Sequence, residues 1–379
     1  MEHADWEMHY EGTAEKTALE RTMAAVSGWG AQGVILQGNE EGRLSEYVRK
    51  TKTPCVLIGG VGPEGISTVC PDNPAVGQLV ANYFQQRHMP NFGFVGVAKQ
   101  QYSVGRLAGF QEELRKMHHR AHVFELNFVA TGDRDWMADY ARLATWLKSV
   151  PKPVGVMAAS DYLGRDVIWT CRRLGLRVPD DVAVVGVDND PVECSMCPIA
   201  LSSVRLPAER IGYGAAELLD RLMRHRAKLP PPTLLPPVEI ITRPSSDVFA
   251  VDDAELAVAL RVIRDRAGEP ITVSDILSVV PLSRRALERR CTKVLGTTLR
   301  YAILRAHAEK AKRLLADTDM KMPLVSERSG FSRYQVFSRL FKKMTGMLPS
   351  EYRESLASSG IDTPRGARQA ASHSPSRTR

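Results

Sequence analysis

Five short, almost wholly apolar runs punctuate the first half of the chain: Gly33-Val-Ile-Leu36, Cys55-Val-Leu-Ile-Gly59, Phe92-Gly-Phe-Val-Gly-Val97, Val154-Gly-Val-Met-Ala-Ala159 and Val182-Ala-Val-Val-Gly-Val-Asp188. Runs of this length, apolar on both faces, suit strands that are covered above and below, as in a parallel sheet. Amphipathic stretches near Ala75 to Arg87, Tyr102 to Met117, Trp136 to Leu147, Tyr162 to Leu174 and Ala208 to Met223 alternate with them. The succession of strand and helix predicts an open, doubly wound α/β sheet or a pair of them. Ligands of such folds lie beyond the C-terminal ends of the strands.

The pattern stops at Leu229-Pro-Pro-Pro-Thr-Leu-Leu-Pro-Pro237, which cannot be helical. An extended run from Val238 to Arg243 leads to Pro244-Ser-Ser-Asp247, where a domain edge is expected. From about residue 251 only helical patterns follow, with Leu256, Leu260 and Ile263 on one face and Leu304, Ala308, Ala311 and Leu315 on another. The tail from Ser358, rich in Ser, Arg, Ala and Gly, reads as disordered. The expected organisation is an α/β domain over residues 1–247, an all-α domain over 248–357 and a disordered tail over 358–379.

Charge follows the same division. Residues 1–250 hold 27 basic and 29 acidic residues, whereas 251–379 hold 24 and 14, so the whole positive excess of the chain, +8, is C-terminal. A near-neutral body joined to a basic module is the pattern of a protein that handles a neutral ligand with one region and a polyanion with the other.

Several functions are disfavoured. The longest apolar runs are strand-sized, far below the ~20 residues of a membrane span. Met1-Glu2-His3-Ala4-Asp5 lacks the basic and apolar regions of a secretory signal, which places the chain in the cytoplasm. Six scattered cysteines are too few for a disulfide framework in 379 residues. Cys194-Ser-Met-Cys197 has the spacing of a metal knuckle but no second pair beside it. Gly28-Trp-Gly-Ala-Gln-Gly33 matches the spacing of a dinucleotide loop, but it follows a helical stretch and precedes a strand, the reverse of what pyrophosphate binding needs. It reads as a turn into a strand. His118, His119 and His122 lack a completing carboxylate set and read as solvated histidines at a helix end. Neither a metal nor a cofactor is expected.

In the basic region one layout occurs twice. Thr272-Val-Ser-Asp275 opens a short helix like a capping box, the chain turns through Val280-Pro-Leu282, and Ser283 is placed to cap a second helix from Arg284 to Val294. Pro323 to Ser329 forms another short helix, Gly330-Phe331 turns, and Ser332 is placed to cap a helix from Arg333 to Met344. Each is a helix-turn-helix, whose second helix enters the major groove with its N-terminal half. Arginine there can pair with guanine and glutamine with adenine. Arg284, Arg285, Glu288 and Arg289 occupy that half in the first unit, and Arg333, Tyr334, Gln335 and Arg339 in the second. Solvated surface charge would account for one such helix far better than for two capped repeats.

The stretch Gly330-Phe-Ser-Arg-Tyr-Gln-Val-Phe-Ser-Arg-Leu-Phe-Lys-Lys-Met-Thr-Gly346, followed by Pro349-Ser-Glu-Tyr-Arg353, resembles the C-terminal signature of AraC-type transcription regulators. The resemblance covers roughly residues 252–355 and implies a linker helix from Thr298 to Leu315 between the two units. It places base contacts on Arg285, Glu288, Arg289, Tyr334, Gln335, Val336 and Arg339, and core positions on Phe331, Phe337 and Phe341. Phosphate contacts are expected of Lys342, Lys343 and Arg353. Two departures stand out: Pro281 at a turn position where the family usually has glycine, and His307 where an arginine is usual.

Upstream, Ser103-Val-Gly-Arg-Leu-Ala-Gly-Phe110, Ala159-Ser-Asp-Tyr-Leu-Gly164, Gly175 to Asn189 and Ala200-Leu-Ser-Ser-Val204 resemble the sugar-sensing core of LacI/GalR regulators, which is similar to periplasmic sugar-binding proteins. The two halves together resemble the XylR-type regulators of xylose operons. That resemblance implies a two-lobed sensor that binds D-xylose, a homodimer acting on double-stranded DNA, and an activator's contact with RNA polymerase. Another pentose or polyol as effector, or a repressor, remains the alternative. A sugar is recognised by planar charged groups and an aromatic face, and Asp188 at a strand end, Asp161 after a strand and Arg106 at a helix start are placed to converge. The resemblance assigns ligand contacts to these three and adds Asn189, Trp136 and Asp72. Taken singly, Asp188 as a turn cap, Asp161 as a helix N-cap and Trp136 as core are equally open readings.

Asp5 to Tyr10 resembles the second strand of such a sensor, so the first strand and helix are missing from the expected pattern; the native start is expected upstream of Met1, with a repaired or non-functional sensor lobe as the alternative. Two other classes compete: a transport binding protein, which has no use for residues 252–355, and a sugar-active enzyme with Asp161 and Asp188 as acid and base.

Overall fold

The computed structural model describes residues 7, 28, 30–37, 52–61, 66–127, 136–224, 230–248, 251 and 253–358. The chain runs through β1 (Val34–Leu36), β2 (Cys55–Leu57), β3 (Ser67–Pro71), α1 (Asn73–Gln85), β4 (Asn91–Val97), α2 (Gln101–Lys116), β5 (Ala121–Leu126) and α3 (Trp136–Ser149). It continues with β6 (Val154–Ala158), α4 (Asp161–Leu174), β7 (Val182–Val187), α5 (Pro191–Ser195), β8 (Ser202–Arg205), α6 (Ala208–Arg224), β9 (Thr233–Leu235) and β10 (Glu239–Ile241). Among the described residues only helices follow: α7 (Ala254–Asp265), α8 (Val273–Leu277), α9 (Arg284–Leu295), α10 (Leu299–Asp317), α11 (Met322–Arg328), α12 (Tyr334–Thr345) and α13 (Pro349–Ser358).

Two sheets form the α/β region, in the orders β1-β2-β3-β9 and β10-β8-β7-β6-β4-β5. Every pairing is parallel except that of β10 with β8. Val154, Val156, Met157, Val182, Val184 and Val185 are fully covered, which is why these strands read as unbroken apolar runs. The expected strands and helices of this region are present, and four further strands accompany them. β5 is an edge strand, half-exposed, with an alternating sequence that also carries His122; only His118 and His119 lie in the turn after α2, so the three histidines do not share a helix end. The His119 ring stands 5.0 Å from that of Phe92. β3, β8 and β9 mix polar residues or proline with apolar ones, which hides them from a search for apolar runs. Gly30 is left-handed at φ 64° and leads through a bend into β1, so the glycine-rich stretch is a turn into a strand.

The helical region builds a pair of small cores on α10. Leu256, Leu260, Ile276, Leu287, Cys291 and Ile303 make the first; Ala311, Leu315, Val325, Phe331, Phe337, Phe341 and Tyr352 make the second. The seam between the α/β and helical regions is tied by polar contacts: Arg243 to Asp317, Arg313 to Asp247, Arg264 to Asp180, Tyr352 to Glu239 and Arg205 to the Leu356 carbonyl. A cavity of about 240 Å³ lies in this seam, lined by Arg87, Asp180, Val248, Leu260, Arg264 and Arg305 among others. No helix among the described residues is long and apolar enough to cross a membrane. Apart from Glu7, the expectation for Asp5 to Tyr10 falls outside the described residues, as does the tail beyond Ser358, which itself closes α13.

Candidate functional site

β4, β6 and β7 lie side by side and parallel, so their C-terminal ends open on one edge of the sheet. Arg106 is held in α2 after β4, Asp161 is the first residue of α4 after β6, and Asp188 and Asn189 directly follow β7. Arg106 is 3% exposed; its Nε donates to Asn73 Oδ1 at 3.0 Å, its Nη1 to the Ala159 carbonyl, and its Nη2 to Asp188 Oδ1 at 3.4 Å. The Tyr102 ring lies 5.2 Å from the guanidinium carbon. Asp188 is open to solvent at its side chain yet recessed among protein, and loss of hydration raises its pKa against the pull of Arg106.

Asp161 is not the cap of its helix. Ser160 holds the N-cap position, while the Asp161 carboxylate, 2% exposed, accepts from Ser203 Oγ at 2.6 Å and from the Asp190 backbone N–H at 2.8 Å. Burial pushes its pKa up to about 7, with these two hydrogen bonds pulling the other way. Cys194 Sγ lies 3.6 Å from the same carboxylate, and all six cysteines are free. Asp161 therefore organises the loop after β7 from below. That loop is strained: Asp188 has φ 114° and Asn189 φ 54°, two consecutive non-glycine residues outside the ordinary backbone regions, as is common where side chains are held for a purpose. Asn189 donates its N–H to Ser203 Oγ at 2.9 Å and accepts at Oδ1 from Arg243 Nη2 at 3.0 Å.

The structure thus draws Arg106, Asp161, Asp188 and Asn189 into one constellation. Asp72 caps α1 by accepting from the Ala75 N–H at 3.0 Å, and it is its neighbour Asn73 that makes the link to Arg106. Trp136 opens α3, and its side chain is outside the described set. Asn73, Ser203 and Arg243 carry no sequence signal of their own. Their partners stand 33, 42 and 54 residues away along the chain, and no local spacing announces such contacts. No group of three or more metal-ligating side chains occurs among the described residues.

In the helical region, α8 and α9 form one helix-turn-helix and α11 and α12 the other, with α10 as linker. Thr272 and Asp275 make the reciprocal capping box, Ser283 caps α9 through the Ala286 N–H at 3.3 Å, and Thr298 caps α10. Ser332 does not cap α12: the N-cap is Arg333, which offers no side-chain acceptor, so the helix starts one residue later than expected. The first unit turns without a left-handed residue, whereas Gly330 stands at φ 80°; Val280, rather than Pro281, takes the equivalent place. His307 is buried against Phe331, and its Nδ1 lies 2.9 Å from the Ala267 carbonyl, so it makes a backbone contact of its own.

Arg284, Arg285, Arg289, Arg333, Tyr334, Gln335 and Arg339 are exposed, and Val336 half-exposed. Glu288 differs: half-buried, it accepts from the Leu299 N–H at 3.1 Å and fastens α9 to the linker, so it does not stand free with the arginines. Arg353 also turns inward, with Nε and Nη2 covered and unpaired, while Lys342 and Lys343 remain at the surface.

Comparison with known proteins agrees with both halves. A periplasmic binding protein-like domain matches residues 81–246 and a helix-turn-helix domain residues 277–355. The chain is 28% identical to the xylose operon regulatory protein of Haemophilus influenzae over 327 residues, 84% of each chain. It is 28% identical to the protein of the same description in Escherichia coli K12 over 337 residues, 87% of this chain and 85% of that one. The solved structure of the xylose-binding transcription activator xylR covers 91% of this chain and 96% of its own, at 26% identity and a TM-score of 0.58. The chain is a DNA-binding transcription regulator, not an enzyme. A solved complex of the regulator CelR with cellobiose, at 23% identity and a TM-score of 0.51 over 61% of this chain and 71% of its own, shares the α/β fold.

Proposed function

We propose that this regulator is a xylose-dependent activator: D-xylose enters beside Arg106, Asp188 and Asn189, and the protein, a cytoplasmic homodimer, grips promoter DNA through α9 and α12 and engages RNA polymerase. The domains are taken as residues 1–247 and 248–357. The reading is carried by the convergence of a buried arginine, a recessed aspartate and a strained asparagine at the C-terminal ends of three parallel strands. Paired donors and acceptors fixed in this way suit the vicinal hydroxyls of a neutral sugar. Ser160 Oγ, buried beside the Ala159 carbonyl that Arg106 holds and without a hydrogen-bond partner, adds a polar group of the kind that a ligand or water satisfies. The xylose-related descriptions of relatives that match most of the chain support the choice of sugar. Base reading is assigned to Arg284, Arg285, Arg289, Arg333, Tyr334, Gln335, Val336 and Arg339.

The test is a titration of the full chain against a labelled xylose-operon promoter fragment at fixed salt, followed by anisotropy with and without D-xylose, with L-arabinose as control. A change in DNA affinity specific to D-xylose is expected. Sequence-selective binding that no sugar alters would remove the sugar from the proposal.

A further inference from the structure

We propose that Arg243 is the positioning residue that passes the state of the sugar cleft to the DNA-binding domain, by sharing one guanidinium between Asn189 and Asp317. The proposal rests on the sugar reading above. Arg243 is 5% exposed, and each of its three side-chain nitrogens donates a hydrogen bond. Nη1 donates to the Leu201 carbonyl at 3.0 Å, Nη2 to Asn189 Oδ1 at 3.0 Å and to Asp317 Oδ1 at 2.6 Å, and Nε to Asp317 Oδ2 at 3.1 Å. Its backbone is pinned as well: the N–H donates to Ser202 Oγ and the carbonyl accepts from that hydroxyl, both at 2.8 Å.

The two partners that share Arg243 are unlike. Asn189 belongs to the strained corner after β7, and Ser203 ties that corner to Asp161. Asp317 is the last residue of α10, the linker between the two helix-turn-helix units. A carboxylate at a helix C-terminus sits against the negative end of the helix dipole, so Asp317 depends on a cation for its place. A sugar hydroxyl that engages the Asn189 amide competes for the Oδ1 lone pairs or turns the amide, and Arg243 then settles differently on Asp317. Both sites then act on the same guanidinium, the shared element through which one can bias the other. The other four seam ties, through Asp180, Asp247, Glu239 and Leu356, involve none of the residues assigned to the sugar.

The experiment uses the full chain and measures D-xylose affinity by calorimetry and promoter affinity by anisotropy with and without D-xylose. Coupling in the wild type is expected on the order of tenfold in DNA affinity. In Asp317→Asn, which keeps the shape of a solvent-facing side chain, D-xylose should still bind while the coupling ratio falls to within about twofold of one. Asp317→Glu should restore most of the ratio, and Asp180→Asn, which cuts a seam tie remote from the cleft, should keep it. A wild-type ratio that survives in Asp317→Asn overturns the relay alone, as does an equal loss in Asp180→Asn, which would mean that general docking carries the effect. A wild-type protein that binds no D-xylose and shows no ratio removes the sugar reading and the relay together.

Discussion

Asp161 carries a carboxylate where water barely reaches it, and the molecule bears a cost for its ionisation. Its pKa stands at about 7 against an ordinary 3.8, so the folded state holds the proton more tightly than the unfolded chain. The sign follows from linkage: stability contributed by this group is greatest in acid and falls as pH rises from about 4 to about 7. His307, whose pKa is lowered by burial, acts in the opposite sense, since the unfolded chain then binds its proton more readily. Urea melts of wild type and Asp161→Asn across that range separate the two, because the difference between the proteins cancels His307; the difference should drift in favour of the variant as pH rises. On the DNA side, Arg289→Ala or Arg339→Ala should cost about 1–3 kcal/mol of affinity and relax specificity at one base pair each, read from binding to operator variants. Asp188 is legible in the sequence, because a residue that directly follows a strand has its position set by the local pattern; Arg106 is expected at a helix start but stands about one and a half turns inside α2, where its burial is set by packing. Arg243, Ser203 and Asn73 are not legible, since their contacts are made by the closing of the fold.

At the scale of elements, the two helix-turn-helix units repeat the same burial positions: Leu287 and Cys291 in α9 correspond to Phe337 and Phe341 in α12, and Gly296 to Gly346 at the helix ends. The first core is aliphatic and the second aromatic, with ring centroids 5.2 and 5.6 Å apart along Phe331, Phe337 and Phe341. Their glycines are not equivalent. A methyl on Gly346 meets nothing within 4 Å, whereas one on Gly330 falls 2.4 Å from the His307 ring and 2.6 Å from the Glu269 carbonyl oxygen. Gly346→Ala should therefore cost about 1 kcal/mol for its left-handed backbone alone, and Gly330→Ala about 2–4 kcal/mol once overpacking is added, measured by chemical denaturation. His307 thus sits within a close fit to the turn. The helices of this region are legible through their capping signals; Ser332 misleads because a capping residue type stands beside the real N-cap, and only geometry separates the two.

At the scale of the whole molecule, the described residues build two cores in the α/β region, whose segments interleave along the chain, and two in the helical region, with ion pairs, single hydrogen bonds and a cavity across the seam. Calorimetry should accordingly show more than one unfolding transition, with a van't Hoff enthalpy below the calorimetric one; a single two-state peak would contradict this. The division into a near-neutral and a basic half can be read from charge counts, but how the halves touch cannot, because Asp180, Asp247 and Asp317 look like any surface carboxylates until the fold brings arginines to them. The seam has one more consequence, for how such a regulator can be rearranged. Residues 248–357 carry both of their cores with them, so the module that reads DNA is portable. Expressed alone, it should fold and hold the promoter regardless of sugar, and it would take its orders from whatever domain supplied a new partner for Asp317.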